Sequence, residues 1–501
     1  MVPPRESGTC DLLDFTADRS TIGKSAVHSV AMQLLFRCKG LITMPILTYY
    51  LTPAEFGVFS ILLATSSMLV PLFSMNLTDG PAIHFVHEES KPRIVVMYNT
   101  VINGSLLFSA LFTIVFYAVM HFFGGAYSRY TFLVLLLLYS NLAYKLITYV
   151  LAIFQKTSML VRNTFLRDGT ATLLTVASVA AGYSYIGMTA SLVVTNVAAA
   201  ALVYRKTRKE LPYSPCLDRD VLSRFLKTSL PLLPVFFFSW VVQSSDSWFL
   251  AVYRGAAVVG KYSVIYGLAG ILLTLTFALN FFWFPVSARL WVEDREKYRR
   301  AFVALFAGFV TVLFLAVLLF ELNSAALMRL VVRRPEYQDA NGIMGIIAFA
   351  FAMQVLITLL TAPLYSNGNT KSIFASYLSG GVVNTALNIF LIPSSGILGA
   401  AVSTAVSYLV IVLLMSWMSY RVAGFSFLDR RLLPVGLLFP AAWAASAWLR
   451  PSLSVPVLLA ADIALVSYVG LLVYAKALRN EEREYLHGMF RDLLTRQGAK
   501  A

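Results

Sequence analysis

YYLTPAEFGVFSILLA, residues 49–64, and VYRGAAVVGKYSVIYG, residues 252–267, are the two stretches on which the fold turns. Laid on one another they place Tyr50 on Tyr253, Gly57 on Gly260, Phe59 on Tyr262 and Ser60 on Ser263. A second pair keeps nearly the same offset: NLTDGPA at 76–82 lies on NFFWFPV at 280–286, aligning Asn76 with Asn280 and Pro81 with Pro285. Two matches in register mark an internal repeat, a common construction among polytopic membrane proteins. A third pair, AGYSYIGMTAS at 181–191 and PSSGILGAAVS at 393–403, is explained equally well by the Gly, Ser and Ala of any tightly packed membrane helix.

The composition around these stretches agrees with a bilayer protein. Of 501 residues 58% are hydrophobic and only 13% charged, with a mean hydropathy of +0.73, whereas soluble domains carry about a quarter charged residues. Apolar runs of about 20 residues recur from end to end, each long enough to cross a hydrocarbon core of roughly 30 Å. Lipid offers backbone amides no partner, so such runs form helices or a closed barrel, and runs without alternation exclude the barrel. The expected fold is therefore all-α, a polytopic integral membrane protein of about fourteen transmembrane helices.

The spans are expected at 25–48, 58–82, 94–119, 130–153, 162–182, 186–204, 228–252, 261–284, 301–320, 342–364, 372–391, 396–419, 432–449 and 455–475. The repeat groups them into an N-lobe over 25–204 and a C-lobe over 228–420, six helices each and related by pseudo-twofold symmetry about the membrane normal. A tail at 1–24, a basic linker at 205–227, two extra helices within 421–475 and an amphipathic tail at 476–501 complete the chain. With both termini cytosolic, roughly 29 Lys and Arg fall inside against about 7 outside, which orients the chain. The segment bearing Arg329, Arg333 and Arg334 runs against that bias.

Several classes drop out. The first 24 residues hold seven charged side chains from Arg5 to Lys24 and no apolar core, so they are not a signal peptide. Cys10, Cys38 and Cys216 are too scattered for a disulfide framework or metal cluster. The net charge of +15 reads as topology signal and polar pathway rather than as a nucleic-acid footprint. External segments are short, and no nucleophile elbow, phosphate-binding glycine loop or zinc spacing occurs, so no enzyme and no cofactor is expected. HFVHEE at 84–89 groups His84, His87 and Glu88, but an ordinary solvated interface explains it better than a metal site.

The segment LTYYLTPAEFGVFSILLATSSML resembles the first elbow of the polysaccharide-transporter, or O-antigen-flippase, branch of the multidrug/oligosaccharidyl-lipid/polysaccharide (MOP) exporter superfamily. SSDSWFLAVYRGAAVVGKYSVIYGLA resembles that branch's seventh span, and NGNTKSIFASYLSGGVVNTALNIFLIPSSGILGAAVSTAVSYLV its eleventh and twelfth. The resemblance, spread over residues 25 to 420, implies two lobes around a cavity that opens alternately to each face of a bacterial cytoplasmic (inner) membrane. The implied substrate is an oligosaccharide on a polyprenyl pyrophosphate, carried for O-antigen, capsule or exopolysaccharide synthesis. Membrane lipid, a polysaccharide polymerase and a chain-length regulator are the implied partners.

Charges inside spans sharpen this expectation, because each costs roughly 2.5–3.5 kcal/mol at mid-span and so faces water or a partner. The bases are Arg37, Lys39, Lys145 and Arg167; the acids within or near spans are Asp79, Asp168, Asp246 and Asp462. Ser29, Gln33 and Arg37 share one helical stripe, and His28 and Lys39 a second. Ser239, Gln243 and Asp246 form a comparable stripe in the seventh span, where the repeat sets Asp246 opposite Thr43. We therefore expect Arg37, Lys39, Lys145 and Arg167 to bind a pyrophosphate, with Ser29, Gln33 and Gln243 lining the cavity. Asp79 and Asp246 are the candidates for coupling to H+ or Na+. For Arg167 and Asp168 a plain interfacial pair is an equal alternative. The peptidoglycan precursor is an alternative substrate, and a non-transporting scaffold for polysaccharide assembly an alternative class.

Overall fold

The computed structural model describes residues 40–427 except 41, 82–83, 86–87, 89 and 155, together with 439–440, 443–444 and 466–467. Ser29, Gln33, Arg37 and Lys39 lie outside the described residues, as do His28, His87, Cys10, Cys38, Asp462 and both tails. Every regular element among the described residues is helical. Ten helices there are long and apolar enough to cross a membrane. An eleventh helix, α5 (Thr157–Ala180), has the length but carries Arg162, Arg167 and Asp168.

The chain divides into two compact units, residues 62–236 and residues 40–61 with 237 onward. The second unit opens with α1 (42–50), which leads into α2 (Pro53–Phe73) through a capping box. The Thr52 amide donates to Glu55 at 2.8 Å and the Glu55 amide to Thr52 at 3.3 Å, while Pro53 takes the first helical position. The helix ends at Phe73, short of the expected limit at 82, because Met75 and Asn76 turn to φ of +50° and +52°. Asn tolerates that left-handed region better than most side chains do.

The first unit continues with α3 (Lys91–Phe123), α4 (Thr131–Ile153), α5, α6 (Ser184–Thr207) and α7 (Arg219–Ser229). At 33 residues α3 is about 50 Å long, well beyond the hydrocarbon core. Its C-terminal half exposes Leu111, Ile114, Tyr117 and Phe122, a surface suited to lipid. Its N-terminal half is buried and anchors the basic linker. Asn99 donates to the carbonyl of Pro212 at 3.0 Å, and Asn103 donates to those of Ser214 and Cys216 at 2.9 and 2.8 Å. The linker itself contains α7, capped by Asp218, which accepts from the amides of Asp220 and Val221. Helix α6 meets its neighbours with a small-residue face that includes Gly187, Ser191, Thr195, Ala199 and Ala200.

The second unit contains α8 (Leu233–Arg254), α9 (Ala256–Ala269), α10 (Thr274–Ala278), α11 (Phe284–Glu293), α12 (Arg295–Leu322), α13 (Ser324–Val331), α14 (Met344–Ser366), α15 (Thr370–Ser395) and α16 (Ile397–Ala423). Helix α14 is buried on nearly every side, packed by α12 and α16, and forms the unit's core. The expected span 261–284 is broken: a 3-10 turn at Gly270–Leu273 follows α9, and a π turn at Leu279–Trp283 holds Asn280. Asn76 and Asn280, aligned by the repeat, thus both mark departures from the α-helix.

The aligned glycines meet. A Cβ on Gly57 would overlap the carbonyl of Ala256, and one on Gly260 that of Pro53, so α2 and α9 cross backbone to backbone. Since Pro53 and Ala256 are themselves aligned, the contact is reciprocal, as a local two-fold requires. The arginine that ran against the charge bias has a local role. Arg334 donates to the carbonyls of Tyr49 and Tyr50 at 3.0 and 3.3 Å, satisfying the open C-terminal end of α1. Arg254 does the same for α15, donating to Pro393 at 2.5 Å and to Ser394 at 3.1 Å.

Candidate functional site

Two polar clusters lie within the spans, one in each unit. The first is built on α4. Lys145 Nζ reaches Asp79 Oδ2, in the turn after α2, at 2.7 Å, with the two side chains 33% and 42% exposed. Arg167, on α5, donates through Nε and Nη2 to Asp168 Oδ1 at 2.9 and 2.7 Å. Its guanidinium also lies 4.2 Å from the centre of the Tyr144 ring, and the Tyr144 hydroxyl meets Thr164 at 3.0 Å. Tyr144 thus packs against the Arg167 pair, while Lys145, next to it in the chain, points about 100° away around the helix.

Helical spacing extends the cluster inward. Asn141 lies one turn before Lys145 on the same face of α4. It accepts from Asn196 at 2.8 Å and donates to Ser66 at 3.2 Å. Asn196, 4% exposed, also approaches Ser140 at 3.4 Å. The structure thus pairs Lys145 with Asp79 and, separately, Arg167 with its chain neighbour Asp168. Each of these bases holds a carboxylate, and the four charges sum to zero. Such partly exposed pairs are worth about 0–1 kcal/mol, too little to explain charges placed in a membrane helix. They can exchange partners at small cost.

The second cluster is buried. Asp246 on α8 is 1% exposed and accepts from the hydroxyl of Tyr262 on α9 and from the Ser247 amide at 2.8 Å. Thr404 Oγ1, on α16, lies 3.2 Å from the same carboxylate. Beside it Ser245 donates to Asn384 at 3.1 Å, and Asn388 donates to the same oxygen at 3.0 Å. Gln243 is half-buried, and its carbonyl accepts from Tyr266 at 2.5 Å. No cation among the described residues pairs with Asp246. A carboxylate ringed by hydroxyl and amide groups can hold a proton or offer oxygens to a small cation.

Tyr144, Thr164, Asn141, Asn196, Thr404, Asn384 and Asn388 do not stand out in the sequence, and Tyr262 does so only through the repeat. Otherwise only the four-residue steps Asn141 to Lys145 and Asn384 to Asn388 offered a signal. The remaining candidates have ordinary settings. His84 meets Thr228 at 3.0 Å and stacks on Phe225, and Glu88 pairs with Arg93 at 3.2 Å. Among the described residues no three His, Cys, Asp or Glu gather as metal ligands would.

The family described as "Polysaccharide biosynthesis protein" matches residues 22–291 of the chain. No curated protein matches. Among solved structures, the chain is similar to the lipid II flippase MurJ in an inward closed conformation, with TM-score 0.69, 13% identity, and coverage of 90% of this chain and 100% of that one. It is similar to a MOP superfamily transporter from Pyrococcus furiosus, with TM-score 0.53, 12% identity, and coverage of 83% and 99%. An outward-facing multidrug resistance MATE family transporter of the same superfamily gives TM-score 0.52 and 13% identity, with coverage of 84% and 100%. At these identities the likeness is one of fold.

Proposed function

We propose that this chain, which belongs to the polysaccharide biosynthesis protein family, is a flippase for an oligosaccharide linked to a polyprenyl pyrophosphate. The observation that supports this reading most is a pair of basic residues on neighbouring apolar helices, Lys145 on α4 and Arg167 on α5, each on a partly exposed carboxylate. A pyrophosphate carries two to three negative charges and offers Arg bidentate acceptors. It can replace Asp79 on Lys145 and Asp168 on Arg167 without leaving either cation unpaired. The headgroup then travels through the protein while its polyprenyl tail stays in lipid. Arg37, Lys39, Ser29, Gln33 and Gln243 extend the pathway in this reading.

In this reading both termini and the linker lie on the cytosolic face of a bacterial inner membrane, an orientation that the excess of Lys and Arg in those segments supports. The lobes at 25–204 and 228–420 alternate access, and Asp246 or Asp79 exchanges H+ or Na+ between the two access states. Surface polysaccharide assembly supplies the substrate, and a polymerase and chain-length regulator act on the product. A second reading, with the peptidoglycan precursor as substrate, rests on the same pyrophosphate chemistry and on the fold likeness to the lipid II flippase.

The test is movement in vesicles. Purified protein, reconstituted with labelled polyprenyl-pyrophosphate oligosaccharide on one leaflet, is expected to expose the label to a membrane-impermeant reagent on the other. The double variant Lys145→Gln, Arg167→Gln is expected to lose that activity. Transfer no faster than in protein-free vesicles would sink the flippase reading and favour a scaffold. Faster transfer of labelled lipid II than of the oligosaccharide would establish the second reading.

A further inference from the structure

Asp79 sits in the turn after α2, where no helical ladder fixes it, so its place 2.7 Å from Lys145 depends on what the turn rests on. The turn rests on the linker helix α7. The Asn76 carbonyl accepts from the Asp79 and Gly80 amides at 3.2 and 3.1 Å, which ties Asp79 to the residue after it. Gly80 meets the last residue of α7 so closely that a Cβ there would overlap both the hydroxyl and the Cα of Ser229. Further along, His84 Nε2 meets the Thr228 hydroxyl at 3.0 Å, and its ring stacks on Phe225 with 5.5 Å between centroids. Phe85 lies 5.9 Å from the Phe225 ring and 5.9 Å from that of Tyr149, one turn beyond Lys145 on α4. The turn that carries Asp79 and the helix that carries Lys145 are thereby packed through one ring.

We propose that α7 positions Asp79, so that a shift of the linker helix opens or closes Asp79 on Lys145. Relative strengths give the direction of control. A partly exposed ion pair holds its groups weakly, whereas Phe85 and Phe225 are 0% and 1% exposed and their burial binds the turn to the helix. The pair therefore follows the packing. At 2.7 Å it has little slack, since a displacement of slightly more than about 1 Å carries the charges past the roughly 4 Å reach of an ion pair. Val221, Phe225 and Ser229, four residues apart, form the buried face of α7, while Arg224 and Lys227 are exposed. The start of α7 is anchored to α3, where the Asp218 amide donates to Thr100 at 3.2 Å, beside the contacts of Asn99 and Asn103. Beyond Ser229 the chain passes through the Leu230–Leu232 turn into α8, most of which belongs to the second unit. Ser229 is thus the end through which movement of that unit reaches the turn. In the flippase reading, on which this last step rests, opening the pair frees Lys145 for the pyrophosphate.

Carbodiimide labelling of carboxylates in the full-length protein, quantified by peptide mass spectrometry, tests the proposal, because an ion pair shields a carboxylate from the reagent. Lys145→Gln removes the partner and sets the rate of unpaired Asp79, expected about two- to fivefold above that of the parent protein. Ser229→Leu, which drives a side chain into Gly80, is expected to approach that rate. His84→Ala, at a half-buried position, is expected to raise it by a smaller factor. Ser229→Ala adds no bulk and keeps the parent rate. Asp168, paired with Arg167 in the same unit, is the internal control and keeps its rate in every variant. Should Ser229→Leu fail to fold, His84→Ala carries the test. The parent rate at Asp79 in folded Ser229→Leu or His84→Ala protein would overturn the proposal, as would a rise shared by Asp168, which marks general loosening. An unchanged rate in Lys145→Gln would overturn it too, because the pair would then be absent in solution. The labelling needs no substrate, so its outcome is independent of the vesicle assay.

Discussion

The two units treat charge inside a membrane span in opposite ways. In the first, Lys145 and Arg167 sit on carboxylates in pairs that solvent reaches. In the second, Asp246 is fully buried and, among the described residues, is held by hydroxyl and amide donors rather than by a cation. The packing differs in the same sense. The second unit brings α2 and α9 together with no side chain between Gly57 and Gly260, while the first leaves Asp79 and Lys145 partly exposed. The contrast teaches that a costly charge can be tolerated either by wetting it or by surrounding it with fixed dipoles. Wetted pairs suit exchange with a ligand. A fixed carboxylate suits the binding and release of a small ion.

This contrast sets a ladder of expected effects. Gly260→Leu should be the most damaging, because its side chain would start inside the Pro53 carbonyl. A loss of at least about 3 kcal/mol, seen as little folded protein in the membrane fraction, is expected. Normal levels and an unchanged melting temperature would show that the helices separate readily at this crossing. Asp246→Leu comes next, since it strands the Tyr262 hydroxyl, while Thr404 can turn to the carbonyl of Ala400 at 3.0 Å. The expected cost is about 1–3 kcal/mol by thermal melts in detergent, and Asp246→Asn should recover part of it. If Asp246 carries the coupling ion, Asp246→Asn also abolishes the dependence of transport on a proton or sodium gradient.

Arg334→Ala should cost about 1 kcal/mol by freeing two carbonyls at the end of α1, readable as faster amide exchange near Leu51. Smallest in stability is Lys145→Ala, expected to change it by less than about 1 kcal/mol while removing most translocation in the vesicle assay. A Lys145→Ala loss greater than that of Asp246→Leu would reverse the comparison between the units.

The helical, membrane-spanning character was legible because twenty apolar residues in succession have one physical solution in lipid. The repeat was legible as well, and its first match proved to be a contact: the aligned glycines touch. The break after Phe73 was hidden, because NLTDGPA reads as the continuation of an apolar span while Met75 and Asn76 take positive φ. Arg334 misled the charge count for a related reason, as hydropathy registers a cation but not the carbonyls it caps. In the candidate site, Lys145, Asp79, Arg167 and Asp246 stood out as charges in apolar surroundings. Their neutral partners did not, since Tyr262 and Thr404 are separated from Asp246 by intervals that no helical period predicts.

By itself the sequence determined that the chain is helical and that its helices cross a membrane. Those properties follow from local hydropathy and from charge, which act through solvent and need no long-range contact. Only the tertiary structure decided which charges are paired. It set Lys145 on Asp79 and Asp246 among hydroxyls. Pairing depends on distances of about 3 Å between residues far apart in the chain, and only the packed helices set those distances.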